Sequence, residues 1–154
     1  NIIRGIQKQG SAKMEFLASW SQKGKTDPDA LMVRRTVFME EQKFTYDEDD
    51  TDSIAYHLTL RDEKGRAVGA ARIFEDHGAY HAGRICILPA CRGMNLGLRI
   101  MEEIERKAAS LGGDTVILGA QMRASGFYKK AGYETYGDPY YEEYCEHINM
   151  KKTL

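Results

Sequence analysis

Apolar residues change spacing several times along this chain, and each change predicts an element. Met14, Phe16, Ala18 and Trp20 recur at every second position, the period of a half-buried strand. Asp27 ahead of Pro28 predicts a helix start, the aspartate as N-cap and the proline in the first turn. Leu31, Arg34, Phe38 and Glu41, or Val33 and Val37, then share neighbouring faces of an amphipathic helix. Ala55 to Arg61, Ala67 to Glu75 and Ala79 to Leu88 read as an antiparallel meander whose separators, Asp62 to Gly65 and Asp76 to Gly78, supply turn glycines. Leu96, Ile100, Met101, Ile104, Ala108 and Leu111 recur at three-to-four-residue steps, predicting a long helix from about Asn95 that ends at Gly112-Gly113. Thr115 to Leu118 is a short buried strand after it, and strand, helix, strand implies a parallel crossover. Met122 to Ala131 forms a second short helix, and Tyr133 to Tyr136 and Tyr140 to Met150 complete the sheet.

The result is a mixed α and β domain. Asn1 to Lys13 is polar, dotted with glycine and without periodicity, so it reads as a flexible leader or an appended remnant ahead of one domain over 14–154. A length of 154 residues fits that single count.

Charge narrows the function. With 22 basic against 23 acidic residues, no global field favours nucleic acid or an anionic membrane, and a small, locally recognised ligand is expected. No uncharged apolar run approaches the roughly 18 residues that span a bilayer, and no secretory pattern opens the chain, so the cytoplasm is the expected compartment. Cys86, Cys91 and Cys145 form no Cys-x-x-Cys pair and are read as reduced thiols. The acidic run Asp47, Glu48, Asp49, Asp50 and Asp52 lacks the glycine and terminal glutamate of a calcium loop, so it reads as a solvated connector and no metal site is expected.

The informative stretch is Arg84 to Gly97, an apolar strand running into a glycine-punctuated loop that opens the long helix. Such a loop aims several backbone N–H groups and the positive helix end at one place, and Arg92 adds a cation, a combination that suits a pyrophosphate. Each charge-assisted hydrogen bond there contributes roughly 1.5–3 kcal/mol. Gly93 and Gly97 leave room for close approach of phosphate oxygens. A P-loop is excluded, because Gly97 is followed by Leu98 and Arg99 and no hydroxyl is available for magnesium; Gly-x-Gly-x-x-Gly is also missing.

Pro89-Ala90-Cys91-Arg92-Gly93-Met94-Asn95-Leu96-Gly97 resembles the acyl-CoA loop of the GNAT superfamily of N-acetyltransferases, Arg/Gln-x-x-Gly-x-Gly/Ala. Asn95 departs from it, standing where a glycine is usual, yet asparagine tolerates left-handed backbone. Gln121 followed by Ala124 to Tyr133 resembles the later Phe-Tyr-x-Lys-x-Gly-Phe segment of that family. Val33 to Gln42 and His147 to Lys151 further resemble the ElaA/YjcF-like branch, so the likeness covers about residues 14–152.

The resemblance implies a twisted, mostly antiparallel mixed sheet flanked by helices and splayed between its fourth and fifth strands, here Ala79–Leu88 and Thr115–Leu118, with acyl-CoA in the gap. It implies that backbone around Cys86, Ile87 and Leu88 pairs with the pantetheine arm, that Arg92, Gly93, Met94, Asn95, Leu96 and Gly97 hold the pyrophosphate, and that Gln121, Phe127 and Tyr128 border the cofactor. It implies an N-acetyltransferase taking acetyl-CoA and a small-molecule amine or exposed amino group, often as a homodimer, with a backbone N–H such as that of Ile87 facing the oxyanion and Tyr128 at the departing thiolate. The competing reading is an acyl-CoA sensor without catalysis. The residues themselves leave the base open among Glu41, His57 and Glu75, with Glu41 favoured; His147 either lines the site or satisfies a sheet edge, and Arg35 and Arg72 either contact an acidic substrate or form ion pairs. Cys86, on an apolar strand, reads as an inert thiol.

Overall fold

The computed structural model describes residues 2–9 and 12–154, with side chains from Met14 onward. Among the described residues one sheet of eight strands runs in the order β1-β2-β3-β4-β5-β6-β8-β7. The strands are β1 (Ile2–Gln9), β2 (Ala12–Trp20), β3 (Tyr56–Arg61), β4 (Ala67–Asp76), β5 (Ala79–Ile87), β6 (Thr115–Gln121), β7 (Glu134–Glu142) and β8 (Cys145–Thr153). The helices are α1 (Pro28–Arg34), α2 (Leu96–Ser110) and α3 (Ser125–Lys130). Every neighbouring pair is antiparallel except β5 and β6, which α2 connects in parallel, as the sequence predicts. Within the segment read as a leader, Ile2–Gln9 pairs with β2. Asn1, Gly10 and Ser11 lie outside the described residues.

The two faces of the sheet carry separate apolar clusters. On one, Leu96, Ile100, Met101, Ile104 and Ala108 of α2 pack against Leu58, Leu60, Ile73, Ala82, Val116, Leu118 and Met150. Each large side chain buried there contributes about 1.5–3 kcal/mol. On the other, Ala30, Val33 and Val37 sit over Ala70 and Cys86 in a much smaller cluster.

Asp27 caps α1 as expected, its Oδ1 accepting from Asp29 N–H at 2.9 Å. The helix then widens into a π-helical turn over Arg35–Glu41, closed by Gln42 N–H to the Val37 carbonyl at 3.0 Å. Such turns recur at functional sites, and this one ends at a cleft. Met122–Ala131 likewise divides, a 3₁₀ turn over Met122–Ala124 preceding α3.

Two expectations are corrected. The acidic run is a solvated connector only at Glu48 and Asp50: Asp47 and Asp52 are buried, because Arg34, itself 1% exposed, reaches both at 3.0 and 2.9 Å. Arg72 adds contacts to Asp49 at 2.6 Å and Asp52 at 2.8 Å, and Arg84 one to Asp47 at 3.1 Å. Three cations therefore offset three carboxylates and clamp the run across α1, β4 and β5. Burial opposes ionisation of Asp52, but hydrogen bonds from Arg34 and Arg72 outweigh it and bring its carboxyl down to about 2. The second correction concerns the last hairpin. Gly137-Asp138-Pro139 does not end β7; it makes a register break between Tyr136 and Tyr140, and the chain reverses instead at Glu143, which takes φ +52.

Candidate active site

The gap begins where β5 and β6 stop pairing. They are in register only from Tyr80 with Val116 to Ala82 with Leu118, although β5 continues to Ile87 and β6 to Gln121. A bulge directs the divergence: Arg72 faces Gly83 and Ala70 faces Cys86, so β5 carries one extra residue, and Arg84 there takes φ +50.

Ladder parity then decides which backbone groups are free. Leu88 N–H donates to the Val68 carbonyl at 2.9 Å. Hydrogen-bonded and non-hydrogen-bonded pairs alternate along an antiparallel ladder, so the Cys86 groups belong to β4, whereas Ile87, opposite Gly69, turns its N–H and C=O toward the gap. The carbonyl is met there by Arg92, whose Nε and Nη2 donate to it at 3.2 and 3.0 Å. The Leu88 carbonyl is taken by Cys91 N–H. Of the three positions expected to pair with pantetheine, only Ile87 offers its backbone to the gap; β4 and the following turn hold the other two.

The loop after β5 turns through Pro89–Cys91, then Gly93 at φ +83 and Asn95 at φ +60, ψ +23. Asn95 occupies the left-handed region that its side chain makes accessible, and among the described residues no side-chain cap hydrogen bond closes the α2 N-terminus, so the first helical N–H groups are left for a ligand. Met94 and Leu96 bury their side chains in the core and hold the loop down, leaving only backbone for a phosphate. Gly97 has another reason to lack a side chain: a Cβ there would come within 3.1 Å of the Phe127 ring.

These elements line a cleft of about 1300 Å³ that takes lining from both apolar clusters, wider than the roughly 300–1,000 Å³ of common ligand pockets. Its lining includes Arg92, Gly93, Asn95, Gly97, Phe127 and Tyr128 together with Phe74, His81, Tyr140, Glu142, Tyr144 and His147, and Gln121 lies opposite His147 in the β6–β8 ladder. Gln121 Nε2 donates to Gln42 Oε1 at 2.7 Å, joining the end of β6 to the π-helical turn. Tyr128 is buried edge-on between Phe127 and Tyr133, and burial pushes its hydroxyl above the ordinary phenol value. It stays protonated and suits donation to a developing negative charge. Burial likewise pushes the Cys86 thiol up to about 12, so it is inert as a nucleophile.

Glu41 lines the cleft, but its two oxygens accept from Arg92 Nη1 and Nη2 at 2.6 Å each. Those hydrogen bonds hold its carboxyl below the usual range, which makes it a poorer proton acceptor than the sequence reading supposes. The other candidates lie elsewhere. His57 is buried with Nε2 3.0 Å from the Asp52 carbonyl, and neither it nor Glu75 lines the cleft. Arg72 lines the cleft but is engaged in the ion pairs already described, and Arg35 approaches Glu48 at 3.9 Å on the surface.

Residues 22–154 match the acetyltransferase (GNAT) domain family. The chain belongs to that family. It is 34% identical over 127 residues to the uncharacterized N-acetyltransferase YjcF of Bacillus subtilis, covering 80% of this chain and 90% of that one. An acyl-CoA N-acyltransferase from Pseudomonas aeruginosa superposes with a TM-score of 0.77 at 27% identity, over 88% of this chain and 99% of that one. Escherichia coli ElaA has the same fold, with a TM-score of 0.74 and 24% identity over 88% and 99% of the two chains. This GNAT acetyltransferase lies in the ElaA/YjcF-like branch.

Sequence reasoning offered His147 as a lining residue of this GNAT cleft but missed Tyr140 and the β7–β8 turn beside it. Tyr140 is turned inward by the β7 register break and lies so close to Gly119 that a Cβ on the glycine would overlap its hydroxyl. Its ring stacks on His147 with centroids 5.6 Å apart. The β7–β8 turn is tied back to the π-helical segment: Thr45 N–H donates to both Glu143 oxygens at 3.1 Å, Tyr144 Oη donates to the Gln42 carbonyl, and Phe44 stacks on Tyr144 at 5.3 Å. A glycine inside an otherwise apolar strand, Gly119, was the one local hint of a close approach. Among the described residues no cluster of histidine, cysteine, aspartate and glutamate could hold a metal, and no helix is long and apolar enough to cross a membrane.

Proposed function

We infer that this chain transfers the acetyl group of acetyl-CoA to a primary amine, on a small molecule or an exposed amino group, by direct attack through a tetrahedral intermediate. The observation that carries the reading is the Ile87 amide, freed by ladder parity at the point where β5 and β6 separate, on the cleft that Tyr128 also lines. Membership of an acetyltransferase family and likeness to an acyl-CoA N-acyltransferase support it.

The residues fit the cosubstrate. Arg92, the left-handed turns at Gly93 and Asn95 and the uncapped α2 N-terminus offer a cation and several N–H groups to a pyrophosphate. Ile87 then serves twice, its carbonyl accepting from the pantetheine amide once Arg92 withdraws and its N–H facing the thioester oxygen as charge develops there. Tyr128 donates to the departing sulfur. An alkyl amine of pKa near 10.4 is neutral only about once in 2,500 molecules at pH 7, so the acceptor end must also remove a proton. The stacked aromatic pairs there suit an amine with an apolar body.

The test is thiol release from acetyl-CoA with a panel of primary amines, with product mass measured in parallel. Saturable release and an acetylated amine support the reading. Tight CoA binding without transfer to any amine would replace it with an acyl-CoA sensor.

A further inference from the structure

We propose that His147 is the group that takes the proton from the acceptor ammonium, with Glu142 beside it to hold the resulting imidazolium. The proposal rests on the amine-acetyltransferase reading above and names the base that reading leaves open.

Three observations converge on His147. Its Nδ1 lies 2.9 Å from the Cys145 carbonyl, and a carbonyl only accepts, so Nδ1 carries the hydrogen. The neutral ring then presents its lone pair at Nε2, which makes no hydrogen bond among the described residues and lies 3.7 Å from Glu142 Oε2. The ring is also aimed: Tyr140 stacks on it at 24° between planes, and the β7 register break brings that tyrosine opposite it in the ladder. His147 is 5% exposed yet lines the cleft, so it is shielded from bulk water without being sealed off.

The titratable and charged groups facing this end are Tyr140 and Glu142 from β7, Glu143 and Tyr144 from the turn, Arg123 beyond β6 and His81 from β5. Glu143 is committed to Thr45 and Arg123 to Gln121, which leaves Glu142 as the carboxylate beside the imidazole. His81 is the rival base. It stacks on Phe74 with Nδ1 3.7 Å from Asp76, and burial holds its imidazole below the ordinary value.

The proton balance is complete without another reactant. The ammonium gives one proton to Nε2, and the freed nitrogen lone pair attacks the thioester carbon. The C–S bond breaks with its electron pair on sulfur, the second proton lost by nitrogen goes to that thiolate, and the imidazolium releases its own to water.

The experiment measures kcat/KM against pH for the intact chain and for His147→Gln, Glu142→Gln and His81→Gln, with acetyl-CoA affinity and thermal midpoint recorded for each. Expected for His147→Gln is a loss of about 10²–10⁴-fold near neutral pH, unchanged acetyl-CoA affinity, and recovery of most of the loss at pH values where the acceptor amine is already neutral. Acceptors of low amine pKa should show the smaller loss even at neutral pH, which a merely structural role would not produce. Glu142→Gln should lose about tenfold with the same pH trend. A loss below about threefold for His147→Gln, a loss independent of pH and amine pKa, or the same pattern in His81→Gln instead would overturn the proposal while leaving the reading intact. A parent chain that binds acetyl-CoA but acetylates no amine would overturn both.

Discussion

Arg92 and Glu41 grip each other through two hydrogen bonds of 2.6 Å, so the guanidinium facing the proposed pyrophosphate site is already engaged by a carboxylate. The pair is half exposed, and such pairs contribute about 0.2–1 kcal/mol. Glu41→Gln should therefore tighten acetyl-CoA by about 1.5- to 5-fold, because the ligand no longer competes for Arg92. Arg92→Ala should weaken CoA by about tenfold or more while affecting a pantetheine fragment far less. Calorimetric Kd values for both ligands decide it; equal weakening of the fragment would remove Arg92 from the pyrophosphate.

In the proposed reaction Tyr128 serves the leaving sulfur and not the cofactor's phosphates. Tyr128→Phe should lower kcat by about 10- to 100-fold with acetyl-CoA affinity nearly constant. Steady-state kinetics alongside direct binding checks this, and unchanged kcat would take the hydroxyl out of the reaction.

Gly119 holds open the space that the Tyr140 hydroxyl enters. Gly119→Ala should displace that hydroxyl, the far end of a side chain able to move, so activity should drop while stability changes by no more than about 1 kcal/mol. Tyr140→Phe in the same chain removes the clashing atom, and the double variant should lose less than the sum of the two single losses. Additive losses in kcat/KM would show that the two residues do not meet.

Asp52 makes stability depend on acid. Its folded carboxyl lies at about 2 against an ordinary 3.8, so the stabilisation is complete above pH 4 and is lost as pH falls through the folded value. That shift is worth about 2–3 kcal/mol. Denaturant midpoints should fall between pH 4 and pH 2. Asp52→Asn should already be destabilised by at least that amount at neutral pH, since Arg34 and Arg72 lose a partner, and should show a shallower acid limb. A midpoint for Asp52→Asn equal to that of the parent would refute the assignment.

Local sequence rules accounted for α1, α2 and the loop that joins β5 to α2. Asp27-Pro28 starts α1, the Leu96 to Ala108 spacing builds α2, and the strand–loop–helix run through Arg92 to Asn95 is readable because turn chemistry and helix periodicity act within a few residues. The same rules misjudged Asp47 and Asp52, whose burial depends on arginines 13 to 37 positions away, and left Gly137-Asp138-Pro139 outside the strands where β7 makes a register break.

From the chain alone came the order of β2 to β8 with the helices between them, the glycine-punctuated loop ahead of α2 and the helix that carries Tyr128. The folded sheet decided the rest. Whether the Ile87 amide is free depends on the parity of its ladder with β4, Glu41 is occupied only because Arg92 reaches it from 51 residues away, and Tyr140, Glu142 and His147 face the cleft only through the register of β7 on β8. Register and ion-pair partners are settled by contacts between distant segments, and no local pattern encodes them.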